Sequence, residues 1–283
     1  MPAQIIDGKK ISEDIISEIR AEVAALTGRP PCLAVVLVGN DPASAVYVGS
    51  KKKMCEKIGI TSIERILPAS ASQDELFTVI KQLNNDDGVD GILIQSPLPK
   101  HINEQAVFNF VLPEKDVDGF SPTNAGLTAL GESGGLVSCT PAGCVELLRR
   151  TDINMSGTNC VVIGRSNIVG RPVASLMLKE SATVTICHSK TKNLAQYTRQ
   201  ADILIAAIGK KHFVTPDMVK DGVVIIDVGI NRTPDSKKLH GDVDPACAEK
   251  ASHITPVPGG VGPMTIAMLM SNCLKAYKRN HAK

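Results

Sequence analysis

The sequence predicts an α/β protein of two domains, and three observations lead to that fold class. Short apolar runs alternate with longer amphipathic stretches along most of the chain, as in proteins built from repeated βα units around a mainly parallel sheet. An irregular stretch that contains Gly and Pro separates two such series. A length of 283 residues is long for one domain and comfortable for two.

In the first series we expect a helix over about residues 11–26, followed by strands in CLAVVLVG (32–39), SIERIL (62–67) and DGILIQ (90–95). The stretches between these strands open with Asp or Ser and close on Gly, as capped helices do. After residue 118 the segments GFSPTNAG and GESGG carry no periodic pattern, and we expect them to be irregular.

The second series predicts strands in NCVVIG (159–164), ATVTICHS (182–189), ADILIAAIG (201–209), GVVIIDVG (222–229) and SHITPV (252–257). A final helix over about residues 263–279 is expected to return to the first domain. The predicted first domain therefore comprises residues 1–140 together with a C-terminal helix at about 266–283, and the second comprises residues 141–265.

Composition excludes several classes of function. A net charge of +2 gives no electrostatic footprint for nucleic acid, and 3% aromatic residues without Trp make a base-stacking platform improbable. The eight cysteines are spaced singly, without a C-x-x-C pair or metal-site spacing, as expected in a reducing compartment and without a bound metal. The N-terminus lacks a signal-peptide pattern, and no apolar run approaches the roughly 20 residues of a membrane span. We expect a cytoplasmic protein with no nucleic-acid or membrane partner.

The strongest local signal is VVIGRSNIVGRPVASLML, which predicts a strand, a tight polar turn and a helix. Backbone N–H groups at such a helix N-terminus, aided by the helix dipole, can hold a pyrophosphate. The motif contains Gly164 and Gly170, but Ser166 and Val169 stand where a G-x-G-x-x-G motif has its second and third glycines. A glycine turn that serves packing alone is the alternative.

The strand after this turn indicates which cofactor is bound. NAD sites usually end that strand with Asp or Glu, which holds the ribose hydroxyls, whereas here it runs into HSKTK. Arg165 and Ser189 suit the 2′-phosphate of NADP, so NADP is favoured. For Lys190 and Lys192 an ordinary solvated helix start is an equally good explanation.

Candidate catalytic residues lie in the first series. Tyr47 and Lys51 are four residues apart and share a helix face, where a Tyr ring can stack on an aromatic ligand while a Lys transfers protons. Lysine runs such as KKK are normally solvated surface. Gln95 ends a buried strand, the position at which open α/β sheets bind ligands, although it could also cap backbone groups.

Two further loops are candidates for ligand binding. In PEKDVDGF, Asp116 and Asp118 could bind a metal, but no third ligand is evident and Asp-containing turns are common. TPVPGGVGPMT (255–265) holds three prolines and three glycines, so that its backbone can approach a ligand closely. A sharp connection into the last helix is the alternative explanation.

Taken in order, these motifs resemble the bifunctional methylenetetrahydrofolate dehydrogenase/methenyltetrahydrofolate cyclohydrolase family. The matching segments span residues 47–265: YVGSKKK, GILIQSPLP, PEKDVDGF, CTPAG, VVIGRSNIVGRP, CHSKT, DVGINR and ITPVPGGVGPMT. The resemblance implies two α/β domains with a cleft between them, the second a Rossmann-like NADP-binding domain. It further implies a homodimer in one-carbon metabolism and purine biosynthesis, which oxidises 5,10-methylenetetrahydrofolate with NADP⁺ and hydrolyses the product to 10-formyltetrahydrofolate.

The same resemblance implies roles for individual residues. Lys51 is the acid–base group that Gln95 tunes, Tyr47 stacks against the folate, and Asp118 grips the pterin; these four are the implied catalytic residues. The implied substrate-binding residues are Tyr47, Lys51, Gln95, Asp118, Pro258, Gly259 and Gly260. The implied cofactor-binding residues are Thr140, Gly164, Arg165, Ser166, Ile168, Val169, Gly170, Ser189 and Ile230. Ser96 departs from the family's usual Q-L-P-L-P loop, in which a Leu follows the Gln.

Three other functions stay open at this point. A dehydrogenase of another small molecule, of the shikimate or amino-acid type, would share the plan but leave Tyr47, Gln95 and Asp118 without a common purpose. A non-catalytic NADP sensor would bind the cofactor without turnover, and the intact Lys51 counts against it. An enzyme that keeps only one of the two activities is the third.

Overall fold

The structure is a computed structural model that describes residues 3–39, 42–233 and 236–281, without the side chains of residues 42–47 and 236–237. The chain divides into two compact units. The three-stranded unit comprises Asp14–Leu127, Glu132–Cys139 and the chain from Met268 onward. The six-stranded unit comprises the chain up to Glu13, Thr128–Gly131 and Thr140–Ala267.

Strands and helices alternate along both units. The strands are β1 (Gln4–Ile5), β2 (Cys32–Val38), β3 (Thr61–Leu67), β4 (Gly91–Ile94), β5 (Asn159–Ile163), β6 (Thr183–Cys187), β7 (Ile203–Ala206), β8 (Val224–Asp227), β9 (Asn231–Thr233), β10 (Ser236–His240) and β11 (His253–Ile254). The α-helices are α1 (Gly8–Ala24), α2 (Pro42–Ile58), α3 (Gln73–Asn84), α4 (Glu104–Phe110), α5 (Pro122–Leu130), α6 (Cys139–Arg150), α7 (Gly170–Lys179), α8 (Leu194–Thr198) and α9 (Val261–His281). No helix in these ranges is long and apolar enough to cross a membrane.

The three-stranded unit is built on a parallel sheet in the order β3-β2-β4. Every residue of β2 is buried, because the strand pairs on both sides and its continuous apolar sequence suits a sheet that is covered on both faces. Helix α3 starts at a capping box in which Ser72 and Glu75 satisfy each other's backbone N–H groups. Residues that follow β4 therefore lie at the carboxyl edge of a rigid sheet.

The six-stranded unit is built on a parallel sheet in the order β1-β11-β8-β7-β5-β6. The chain leaves β5 for β6 on one side and then returns to β7 on the other, which makes β5 the switch point of the sheet. Ligands of doubly wound sheets bind at the carboxyl edge beside such a point. Strands β9 and β10 form a separate antiparallel hairpin.

The two predicted series of parallel strands are confirmed, but the structure differs from the sequence prediction in several places. The segment GFSPTNAG is not wholly irregular, because helix α5 begins at Pro122 after Ser121, whose hydroxyl accepts the Asn124 N–H at 3.3 Å. The N-terminal segment belongs to the six-stranded unit rather than to the first predicted domain, because β1 pairs with β11. The β9–β10 hairpin was not predicted.

Candidate active site and cofactor loop

Lys51 and Gln95 meet at the carboxyl edge of the three-stranded sheet. Lys51 lies on α2, and its Nζ donates a hydrogen bond to Gln95 Oε1 at 2.9 Å. Gln95 follows β4, and its Nε2 donates to the Ser96 carbonyl at 2.6 Å. Because the amide nitrogen is engaged there, the amide oxygen must face Lys51. Gln95 therefore caps a backbone carbonyl and also holds the lysine, while its part in ligand binding stays a prediction.

Asp118 supplies the charge beside this pair. Burial raises the pKa of the Asp118 carboxyl to about 7, against the opposing effect of the Lys51 cation. Burial likewise lowers the pKa of Lys51, and the Asp118 carboxylate opposes this effect. Within the described residues no hydrogen bond reaches the Asp118 carboxyl group. Its acceptor capacity is thus available to a ligand.

The neighbouring Asp116 has the opposite environment. Its carboxylate accepts N–H groups from Phe120 at 3.2 Å and Ser121 at 2.7 Å, and the side-chain amide of Asn124 at 3.0 Å. These bonds close the turn that leads into α5. The acceptor capacity of the Asp116 carboxylate is therefore used within the fold. Of these two aspartates, Asp118 is the one that can bind a ligand.

The backbone around Asp118 is fixed by contacts that sequence reasoning missed. Asn272, buried on α9, donates to the carbonyls of Val117 and Val137 at 2.8 Å each. Gly119 has a φ of +70°, and a Cβ there would lie 2.5 Å from the Leu136 carbonyl oxygen. A polar Asn within a largely apolar helix was the available signal.

Three further features of the sequence lie near Lys51: the other lysines of the run, Tyr47 and Ser96. Lys52 and Lys53 are exposed, and Lys52 lies 3.4 Å from Glu64, so the lysine run is solvated apart from Lys51. Tyr47 belongs to the helical backbone of α2, but its side chain lies outside the described residues. Ser96, the departure from the family's loop, donates a hydrogen bond to the Glu104 carboxylate at 2.7 Å and so tethers the loop to α4.

The cofactor loop, residues 164–170, connects β5 to α7 in the six-stranded unit. Gly164 has a φ of +129°, and a Cβ there would lie 2.3 Å from the Ala207 carbonyl oxygen. A Cβ at Gly170 would lie 2.3 Å from the Gly164 oxygen. Ser166 Oγ accepts the N–H groups of Val169 at 3.2 Å and Gly170 at 3.3 Å. Ser166 therefore caps the turn at the position where a dinucleotide-binding motif has a glycine.

The exposed side chains around this loop suit an anionic ligand. Arg165, Ser166 and Ile168 are exposed, and Ser189 is exposed in the turn after β6. That turn closes on itself, because the His188 N–H donates to Thr191 Oγ1 at 2.9 Å and Thr191 N–H to the His188 carbonyl at 2.8 Å. The turn from residue 188 to residue 193 carries basic but no acidic side chains.

The segment 255–265 and its neighbours are further predicted ligand-binding residues of the six-stranded unit. The Lys9 N–H donates to the Gly259 carbonyl at 2.9 Å, and a Cβ at Gly260 would lie 2.6 Å from the Pro256 oxygen. Pro258 is exposed at the tip. The loop is thus a tightly packed turn that presents backbone at its surface.

Thr140 and Ile230 adjoin that segment. The Thr140 and Thr265 hydroxyls are 3.0 Å apart and share a hydrogen bond. Ile230 is 48% exposed, and its Cδ1 would lie 3.8 Å from a Cβ at Gly262. The structure therefore places Thr140, Ile230 and the 255–265 segment within one unit, whereas Lys51, Gln95 and Asp118 come together in the other.

Metal binding has no support in the described ranges, where no group of three or more His, Cys, Asp or Glu side chains could hold an ion. All eight cysteines are buried and unpaired. Burial raises the pKa of several of these thiols, including those of Cys144 and Cys160 to about 12, so they are poor nucleophiles and ligands.

Comparison with known proteins identifies the family. The sequence matches the catalytic domain of tetrahydrofolate dehydrogenase/cyclohydrolase over residues 6–118 and the NAD(P)-binding domain of the same family over residues 138–281. The bifunctional protein FolD of Agathobacter rectalis is 56% identical over 280 residues, which cover 98% of this chain and 100% of that protein.

Solved structures agree with the sequence matches. The bifunctional enzyme FolD of Campylobacter jejuni, a methylenetetrahydrofolate dehydrogenase/cyclohydrolase, superposes with a TM-score of 0.96 at 48% identity, covering 98% of this chain and 99% of that one. The Trypanosoma brucei enzyme, complexed with NADP cofactor and inhibitor, has a TM-score of 0.93 at 37% identity and covers 99% of this chain and 98% of that one. The resemblance and the two-domain α/β fold predicted from the motifs are confirmed. The chain belongs to the tetrahydrofolate dehydrogenase/cyclohydrolase family.

Proposed function

We propose that this chain oxidises 5,10-methylenetetrahydrofolate to 5,10-methenyltetrahydrofolate with NADP⁺ and then hydrolyses the product to 10-formyltetrahydrofolate. The observation that carries the proposal is the Lys51–Gln95 hydrogen bond at the carboxyl edge of the three-stranded sheet, beside the Asp118 carboxyl group. An amine, an amide and a carboxyl group at one edge match the needs of a proton-transfer step on a folate.

Lys51 acts as the acid–base group of the hydrolysis. Burial lowers its pKa, which increases the fraction of neutral amine at physiological pH. The neutral amine takes a proton from the water that adds to the methenyl carbon, and the reaction as a whole releases one proton as the ring opens. Gln95 holds Nζ through its amide oxygen, so the position of the amine is set before the substrate arrives.

Asp118 binds the pterin. An ionised carboxylate without described donors can accept two N–H groups from the pterin ring in charge-assisted hydrogen bonds. Tyr47 lies one helical turn before Lys51, and stacking of its ring on the folate remains a prediction. The three-stranded unit is accordingly the folate-binding domain of this proposal, and the six-stranded unit is the NADP-binding domain.

The six-stranded unit holds NADP at its cofactor loop. The tight packing at Gly164 and Gly170 lets the start of α7 approach a pyrophosphate, and Val169 completes the loop. Arg165 and Ser189 bind the 2′-phosphate in this proposal, which their exposed side chains support. Thr140, Ile230 and the turn at Pro258–Gly260 contact the nicotinamide and substrate end. NADP⁺, when bound, would supply the hydride acceptor, and the residues named here would hold and orient it.

Assembly and location complete the proposal. Strand β3 is an edge strand with Ile66 65% exposed, which supports a homodimer formed through this edge. Free buried cysteines are typical of reducing compartments and support a cytoplasmic location. The product, 10-formyltetrahydrofolate, would supply purine biosynthesis. The small net charge of +2 favours small-molecule substrates over nucleic acid.

The test is an assay of the purified protein with 5,10-methylenetetrahydrofolate and NADP⁺, in which NADPH and the methenyl compound are followed by their separate absorbances. We expect NADPH formation that requires the folate, with little methenyl compound accumulating. NADPH binding without turnover would instead identify a sensor, and turnover of another substrate without folate would identify a different dehydrogenase.

A further inference from the structure

Two buried aspartates lie at the carboxyl edge of the six-stranded sheet, outside every residue set assigned above. Asp227 is the last residue of β8 and is 4% exposed, and Asp242 follows β10 and is fully buried. Buried carboxylates are rare unless the protein satisfies them with donors. The donors that these two carboxylates accept show what each of them holds in place.

Asp242 accepts hydrogen bonds from the backbone of the loop that follows β7. Its Oδ2 accepts the N–H groups of Ile208 at 2.6 Å and Gly209 at 2.9 Å, and its Oδ1 accepts the N–H of Lys210 at 2.8 Å. The side-chain amide of Asn231 donates to Oδ1 at 2.9 Å. Three consecutive amides that converge in this way form an anion-binding concavity, and here the protein's own carboxylate occupies it.

Asp227 in turn holds Asp242. Its Oδ1 accepts the N–H groups of Gly229 and Asp242, and its Oδ2 accepts that of Val243, each at 2.9 Å. A Cβ at Gly229 would lie 2.2 Å from Asp242 Oδ1, so the two segments leave no space for a side chain. The loops after β7 and β8 are thus connected through two carboxylates.

Both loops adjoin the predicted cofactor site. The loop after β7 contains Ala207, whose carbonyl oxygen contacts the cofactor loop at Gly164. The loop after β8 presents the exposed Ile230. The residues on either side of it are hydrogen-bonded, because Gly229 N–H donates to Asp227 and the Asn231 side-chain amide donates to Asp242. Asp242 has no exposed surface, so it cannot touch the cofactor and can act only through these loops.

We propose that Asp242 is a positioning residue for the NADP-dependent step, which holds the loops after β7 and β8 in the geometry that binds the cofactor. The inference rests on the proposed function for the identity of the cofactor. The Lys51 site lies in the other unit, and methenyl hydrolysis uses no NADP. The hydrolysis rate is therefore an internal control for any loss that unfolding alone would cause.

Asp242→Asn is the informative variant because it keeps the shape of the side chain. Each oxygen of Asp242 accepts two donors, so the amino group of an Asn must face N–H groups in either orientation. The matched control is Asp244→Asn, two residues further on, where the side chain caps a short helix by accepting the Ala246 N–H at 2.9 Å. Asn serves as well as Asp in that role.

NADPH binding is measured by fluorescence titration, together with methenyl hydrolysis in the absence of NADP. For Asp242→Asn we expect NADPH binding weaker by about 10-fold or more, with hydrolysis within about twofold of the parent protein. Asp244→Asn should leave both unchanged. Unchanged NADPH binding, or an equal loss of binding and hydrolysis, would overturn the proposal.

A second variant covers the case in which Asp242→Asn does not fold. Asn231→Ala removes one of the four hydrogen bonds and should weaken NADPH binding by about 3-fold to 10-fold while sparing hydrolysis. No change in its NADPH affinity would also overturn the proposal. Because the titration needs no turnover, these results remain separate from the folate assay: a parent protein that binds NADPH but lacks folate activity would contradict the proposed function alone.

Discussion

The two units use their carboxylates in opposite ways. In the three-stranded unit, the Asp118 carboxyl group receives no hydrogen bond from the described residues, and burial raises its pKa to about 7. In the six-stranded unit, Asp242 is fully buried and accepts four hydrogen bonds. A partly buried carboxylate without donors is unfavourable until a ligand supplies them, whereas one whose acceptor capacity is filled can only support the fold. Unfilled hydrogen-bond acceptor capacity thus distinguishes a carboxylate that binds a ligand from one that only supports the fold.

The same contrast occurs within three residues of a single loop. Asp116 accepts three donors from the segment that begins α5, while Asp118, two residues later, accepts none from the described part of the chain. The proposed function explains this contrast if the three-stranded unit keeps polar groups available for the folate and the six-stranded unit holds preformed loops for the cofactor.

The largest effect is expected at the cofactor loop. In Gly164→Ala the new methyl group would lie 2.3 Å from the Ala207 carbonyl oxygen, on a backbone with φ +129°. We expect a loss of about 3 kcal/mol in the free energy of unfolding and NADPH binding weaker by about 100-fold, with methenyl hydrolysis retained. Fluorescence titration, urea denaturation and the hydrolysis assay measure the three quantities.

The matched control for Gly164 is Gly222→Ala. Gly222 also has a positive φ, +80°, but a Cβ there meets no atom within 4 Å, so this variant isolates backbone strain from the collision. We expect a loss of about 1 kcal/mol and unchanged NADPH affinity. If Gly164→Ala remains folded but loses methenyl hydrolysis, the assignment of hydrolysis to the three-stranded unit and of cofactor binding to the six-stranded unit would be contradicted.

A smaller effect is expected at Arg165. If its guanidinium binds the 2′-phosphate, Arg165→Ala should lower the preference for NADP⁺ over NAD⁺ by about 10-fold to 100-fold, the equivalent of one charge-assisted contact. The ratio of kcat/KM values for the two cofactors measures this preference. Lys179→Ala, at the far end of α7, is the control and should leave the ratio unchanged. An unaltered ratio in Arg165→Ala would remove Arg165 from the cofactor site.

The smallest effect is expected in the stability of the Asp118→Asn variant. Because the folded-state pKa of about 7 lies above the ordinary 3.8, the unfolded chain loses this proton first, and the contribution of Asp118 to stability falls as pH rises from about 4 to about 7. Asn cannot ionise, so the variant should gain about 1–2 kcal/mol relative to the parent protein between pH 4.5 and pH 5.5. Urea denaturation at both pH values measures the difference.

A variant that loses stability relative to the parent protein over that pH range would show that donors already satisfy Asp118. The contrast between Asp118 and Asp242 would then fail. Folate binding by Asp118→Asn should weaken in either case, so the stability measurement is the more specific one.

Local sequence patterns predicted most of the fold. Buried parallel strands such as β2 and β7 are continuous apolar runs, and helices such as α3 carry capping residues that mark where they begin. Both units could therefore be predicted from short segments. Strand β1 was missed because two residues form no pattern. Helix α5 was missed although its Ser–Pro start is a recognised helix signal.

The candidate site was less predictable, because hydrogen-bond satisfaction depends on distant segments. Asp116 and Asp118 are the same residue type in one loop, and they differ because Phe120, Ser121 and Asn124 donate hydrogen bonds to Asp116. The donors to Asp242 at residues 208–210 lie 32 to 34 residues away in the sequence. Asn272 reaches Val117 across 155 residues. The sequence therefore predicts candidate ligand-binding loops but not which side chains in them already receive hydrogen bonds.

The most direct test of the account is the course of the methenyl intermediate in Lys51→Met, with NADPH followed in the same reaction. Lys53→Met, an exposed lysine on the same helix, is the control. We predict that Lys51→Met still forms NADPH but hydrolyses the methenyl compound about 10²–10⁴-fold more slowly, so that the compound accumulates, whereas the control behaves as the parent protein. Hydrolysis by Lys51→Met at the parent rate would contradict the assignment of methenyl hydrolysis to the Lys51 site of the three-stranded unit.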